Sequence, residues 1–140
     1  MKEVKWTEDL SVGNKVIDEQ HKMLIVHLNN LTKAIEHQLG PEKIGETLSF
    51  LIDYTDTHFS SEEQHMTAHS YPGLDAQKVL HEKFKETLNN LEEDFREEGA
   101  TPELADAIDT LLVNWLIKHI QGVDAEFVEF LKHNNIALTE

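Results

Sequence analysis

Residues 44–69 read IGETLSFLIDYTDTHFSSEEQHMTAH, and the spacing of their apolar and ligand-type side chains decides the fold. Ile44, Leu48, Leu51, Thr55, His58, Glu62, His65 and His69 follow one another in steps of four and three. Positions three and four apart share a helical face, so these residues form one stripe of an α-helix. The first half of the stripe is ordinary core. The second half keeps the period but places imidazole and carboxylate where Leu and Ile stood. Polar groups on a buried stripe cost free energy unless they are hydrogen-bonded, paired or metal-bound. The substitution therefore asks for a chemical partner.

The same rhythm appears on both sides of this helix, which spans about residues 42–68. A helix over about 18–38 carries Ile17, His21, Leu24, Leu28, Leu31 and Ile35 on one face, and Gly40-Pro41 ends it and opens the next. Tyr71-Pro72-Gly73 reads as a turn. A third helix over about 75–97 carries Gln77, His81, Phe84, Leu88, Leu91 and Phe95, and a fourth over about 102–120 carries Ala105, Ile108, Leu112, Trp115 and His119. Thr101-Pro102 supplies the start of the fourth, and Gly122 its end. Residues 1–16 show no helical period and read as an extended arm anchored by Trp6 and Leu10. Glu126–His133 reads as a short terminal helix. Four helices of similar length with short connections predict an all-α, antiparallel up-down-up-down four-helix bundle, with residues 1–140 forming one domain.

Composition narrows the function. At 140 residues and 39% hydrophobic, the chain is long and apolar enough to bury a core. Its 27 acidic residues against 12 basic give a formal charge of −15, which opposes binding to nucleic acid or an anionic membrane. Nothing in it reads as a membrane span or a secretory signal, so the cytoplasm is the expected compartment. Cysteine is absent, which removes disulfides and iron–sulfur clusters. Histidine is over-represented, with nine dispersed residues.

Six ligand-type residues fall on the inward stripes or just beyond: His21, His58, Glu62, His81, His119 and Asp124. A single histidine on an apolar face is usually a satisfied core residue. Six on four converging helices describe a metal centre, because imidazole and carboxylate are ligands of iron, manganese and zinc, and bundles build such sites from inward side chains. Two carboxylates suit the bridging of two ions, with the imidazoles divided between them. His27, His37 and His133 fall off the stripes and read as solvated. The run Glu92-Glu93-Asp94 with Glu97-Glu98 reads as a solvated acidic face.

The stretches Asp18-Glu19-Gln20-His21, His58-Phe59-Ser60-Ser61-Glu62, Tyr71-Pro72-Gly73, His81-Glu82-Lys83-Phe84 and Trp115-Leu116-Ile117-Lys118-His119, followed by Asp124, together resemble the hemerythrin family, as does the arm Val4-Lys5-Trp6. The resemblance covers nearly the whole chain. It implies two iron ions with an oxo or hydroxo bridge, binding O2 at one iron as hydroperoxide for storage, delivery or sensing. It implies that His21 and His58 hold the oxygen-binding iron, that His81 and His119 hold the other, and that Glu62 and Asp124 bridge. Leu24, Phe59, Trp115, Leu116 and Ile120 match positions that wall the oxygen site in relatives. O2 or small anions are the implied ligands. The competing reading is a di-iron enzyme with peroxidase or nitric-oxide-handling activity.

One position departs from the family. Hemerythrins carry a further histidine four residues before the one matching His81, and Gln77 stands there. Gln77 through its amide oxygen, a water, or another histidine can fill that place. His65 shares the ligand stripe and should lie level with Gln77 across the antiparallel pair, so we expect His65 to coordinate the iron held by His81 and His119.

Overall fold

The computed structural model describes residues 5–108, 110 and 114–136. All regular structure among them is helical: α1 (Lys15–Glu36), α2 (Pro41–Ala68), α3 (Leu74–Glu98), α4 (Pro102–Ala107), α5 (Asn114–Lys118) and α6 (Ala125–His133). α1 packs on α2 and α2 on α3. Their short connections make neighbours antiparallel, as the period predicts. The predicted fourth helix embraces α4 and α5; Leu112 of its stripe and Val4 of the arm lie outside the described residues.

Local chemistry accounts for the boundaries. α1 starts three residues earlier than periodicity alone predicts, because the Asn14 side chain accepts from the Ile17 N–H at 3.2 Å and caps the first turn. Gly40, at φ +96°, turns the chain so that Pro41 can open α2. Thr101 caps α4 by accepting from the Leu104 N–H at 3.1 Å. At Gly73 an added Cβ would come within 2.7 Å of the Tyr71 ring, so the turn between α2 and α3 is closed tightly on a glycine. The arm is not wholly extended. It contains a 3₁₀ turn at Glu8–Leu10 that sends Leu10 into the core, while Lys22 lies 5.3 Å over the Trp6 ring.

The expected break at Gly122 does not occur. A π-helical turn over His119–Asp124 carries the chain from α5 into α6 with helical backbone angles at both joins. In an α-helix, positions five apart point about 140° from one another. A π turn bonds i to i+5 and brings such positions back into line. Asp124 therefore returns to the face of His119.

The core divides into two apolar clusters. One contains Leu24, Leu28, Leu31, Ile44, Leu48, Leu51, Leu88, Leu91, Leu104 and Ile108 among others. The other gathers Ile17, Met66, Phe127, Val128 and Leu131. Along each helix the ligand-type residues fall between these clusters: His21 between Ile17 and Leu24, Glu62 between Phe59 and Met66, Asp124 between Ile120 and Phe127. A polar layer thus crosses the bundle, closed above and below by hydrocarbon.

Candidate metal centre

All six residues read from the stripes are buried: His21, His58, His81 and Asp124 at 0%, Glu62 at 1% and His119 at 3% exposure. They form two groups of donors. His21, His58, Glu62 and Asp124 offer atoms mutually within 4.8 Å, and so do Glu62, His81 and His119. Glu62 belongs to both. Asp124 Oδ2 also spans the groups, at 2.6 Å from His21 Nε2 and 2.9 Å from His119 Nε2. The carboxylates stand between the imidazoles, where bridging ligands belong.

The electrostatics favour cations. Burial alone would lower the His58 pKa, but the Glu62 and Asp124 carboxylates outweigh it and hold the imidazole at about 9. His119 is held at about 10, again against burial, chiefly by Asp124. Burial would raise the Asp124 carboxyl, yet His119, hydrogen bonding with Glu62, and His21 keep it well below the usual carboxylate range. His81 goes the other way: burial pushes it down, only partly offset by Glu63 and Glu62. A cavity that binds protons this firmly at His58 and His119 stabilises positive charge, and divalent ions would displace those protons.

Some donor atoms are left over. While His58 Nε2 pairs with the Glu62 carboxylate, His81 Nε2, Glu62 Oε2 and Asp124 Oδ1 are buried and make no hydrogen bond among the described residues. Such groups cost about 1–3 kcal/mol each if left without a partner. The donor set therefore fits two transition-metal ions.

Neighbouring residues aim the ligands. Gln20 Oε1 accepts from His58 Nδ1 at 2.7 Å, while Gln20 Nε2 donates to Ser61 Oγ at 3.1 Å. Glu63 Oε2 lies 2.8 Å from His81 Nδ1. Each holds the proton on Nδ1 and leaves Nε2 free to bind metal. The Phe59 ring stacks on His81 at 3.9 Å, and Trp115 stacks on His119 at 4.6 Å and on Phe84 at 3.8 Å. Sequence reasoning did not assign Gln20 or Glu63 a role. The available signal was a polar residue one position away from a ligand, Gln20 before His21 and Glu63 after Glu62.

The structure does not bring His65 into either donor group. The buried face of α2 steps by four from Glu62 to Met66, which is 0% exposed. His65 is left at the edge, half-buried, with its pKa lowered by burial and by His69. Gln77 is the residue turned inward, at 2% exposure. Of the residues expected to wall an oxygen site, Leu24, Phe59, Trp115 and Leu116 line one cavity with Leu28, Leu51, Thr55 and Phe84. Ile120 is fully buried but does not line it.

Residues 12–131 match the hemerythrin HHE cation binding domain. The chain is 35% identical over 136 residues to bacteriohemerythrin of Pseudomonas aeruginosa, covering 96% of this chain and 85% of that relative. It is 34% identical to bacteriohemerythrin of Stenotrophomonas maltophilia, over 91% of this chain and 80% of the relative. Myohemerythrin of Theromyzon tessulatum is 30% identical over 88% and 89%. The crystal structure of a wild-type hemerythrin superposes with a TM-score of 0.78 at 28% identity, covering 89% of this chain and 94% of that one. The chain belongs to the hemerythrin family, whose centre is a pair of non-haem irons.

Proposed function

We propose that this chain is a non-haem di-iron oxygen-binding protein in which His21 and His58 hold one iron, His81 and His119 hold the other, and Glu62 and Asp124 are shared. The observation that carries this assignment is the meeting of two buried donor groups at Glu62, with Asp124 spanning them. When bound, the iron pair supplies reversible oxygen binding. The protein's own residues do the rest. Gln20 and Glu63 keep the imidazoles in the metal-binding tautomer. Leu24, Phe59, Trp115 and Leu116 keep water away, which favours reversible binding over irreversible oxidation.

The size of the cavity supports a small ligand. Its volume is about 10 Å³, room for one water-sized molecule. The smallest ligands, such as a diatomic gas, suit it best, and an organic substrate does not. No helix among the described residues is long and apolar enough to cross a membrane. The proposal takes the cytoplasm as the working compartment, which cell fractionation tests.

The deciding measurement combines metal analysis with one spectrum. We expect two irons per chain and a visible charge-transfer band that appears when the reduced protein meets air and disappears on deoxygenation. One iron per chain at full loading, or no oxygen-dependent band, would overturn the reading.

A further inference from the structure

The Gln77 amide is half satisfied in an informative way. Its Nε2 donates to the Val123 carbonyl at 3.2 Å. Its Oε1 is buried and has no hydrogen-bond partner among the described residues. Because Val123 offers a carbonyl, the amide must turn its NH2 there, and the alternative flip would set two oxygens against each other. The oxygen is therefore the end left over. Gln77 and His81 are four apart on α3 and both are buried, so they share one inward face. Val123 directly precedes Asp124, so the anchored amide stands against the turn that carries the shared carboxylate.

We propose that Gln77 Oε1 is a ligand of the second divalent cation, completing the donors Glu62, His81, His119 and Asp124. This deepens the di-iron reading and rests on it. The amide oxygen is neutral and donates less charge than imidazole. The second cation is consequently held less firmly than a third imidazole would hold it, and more firmly than His81, His119 and the two carboxylates hold it alone.

The test is an anaerobic titration of the metal-free protein with ferrous iron, repeated with the redox-silent zinc ion. The helicity of each metal-free variant is recorded first. The wild type takes up two ions. Gln77→Leu removes both the oxygen and the bond to Val123, and the second ion weakens by at least about tenfold while the first is unchanged. Gln77→Glu also loses the bond to Val123 but keeps an oxygen, now charged, and holds the second ion at least as tightly as the wild type. If Gln77 were only a strut to Val123, both variants would weaken binding together, and the proposal falls. It also falls if Gln77→Leu binds both ions as the wild type does, or if His65→Ala costs more affinity than Gln77→Leu. Gln77→Met serves in place of the leucine variant should that one lose helicity. Uptake of fewer than two ions by the wild type is a separate failure, that of the di-iron centre itself.

Discussion

The two halves of α2 are equally buried and chemically opposite. In the first, Ile44, Leu48 and Leu51 are 2%, 1% and 4% exposed and pack into the larger apolar cluster. In the second, His58 and Glu62 are 0% and 1% exposed and meet other titratable groups. A buried Leu contributes about 1.5–3 kcal/mol by leaving water. A buried carboxylate or imidazole costs free energy unless partnered. One half of the helix stabilises the bundle, and the other spends part of that stability to assemble a site. The comparison teaches why the polar layer lies between two apolar clusters. Hydrocarbon on both sides fixes the helices closely enough for six side chains from four elements to converge.

The contrast breaks most completely at Glu62. Glu62→Ala should reduce iron from two per chain to at most one and abolish the oxygen-dependent band. It should also remove the metal-dependent rise in melting temperature, since metal bound only by the folded state stabilises that state. Circular dichroism should still show the helices, because the apolar half of the bundle is untouched. Retention of both irons would show that Glu62 is not shared.

The reciprocal substitution lies about four turns up the same helix. Leu48→Ala should cost about 2–5 kcal/mol and lower the melting temperature by about 10 °C, with metal stoichiometry unchanged. Loss of iron in a protein that remains folded would mean the two halves are not separable. A smaller effect is expected at Glu63, which supports His81 through Nδ1. Glu63→Ala should weaken the second ion on the order of tenfold and leave helicity intact, as read by metal titration. The smallest change lies at the apolar end of the bundle, where Leu104 joins the cluster of Ile44 and Leu48. Thr101→Ala removes the cap on α4 and should cost about 1 kcal/mol in denaturant unfolding, with no change in metal affinity.

Much of this was legible along the chain. Steps of three and four identified the inward stripe of each helix and with it five of the six ligand-type residues, because helical periodicity is local; Asp124, five past His119, lay off the period. The same locality set its limit. His65 shares the stripe of Glu62 by counting, yet the packed face runs to Met66, since which edge of a stripe is covered depends on the neighbouring helix. Gln20 and Glu63 lie beside the stripes, and only the approach of α1 and α3 to α2 turns them into partners of His58 and His81.

By itself, then, the sequence determined four amphipathic helices, their inward faces, an acidic chain with an excess of histidine, and a donor set suited to two metals. Tertiary structure decided how those faces meet: the place of Glu62 in both donor groups, the burial of Gln77 with His65 left at the edge, the cavity beside Phe59 and Trp115, and the π turn that returns Asp124 to His119. The reason is physical. Side-chain direction within a helix follows from the repeat of one backbone conformation, which residue spacing records. The depth and rotation of one helix against another follow from the packing of whole faces, which no single stretch of sequence contains.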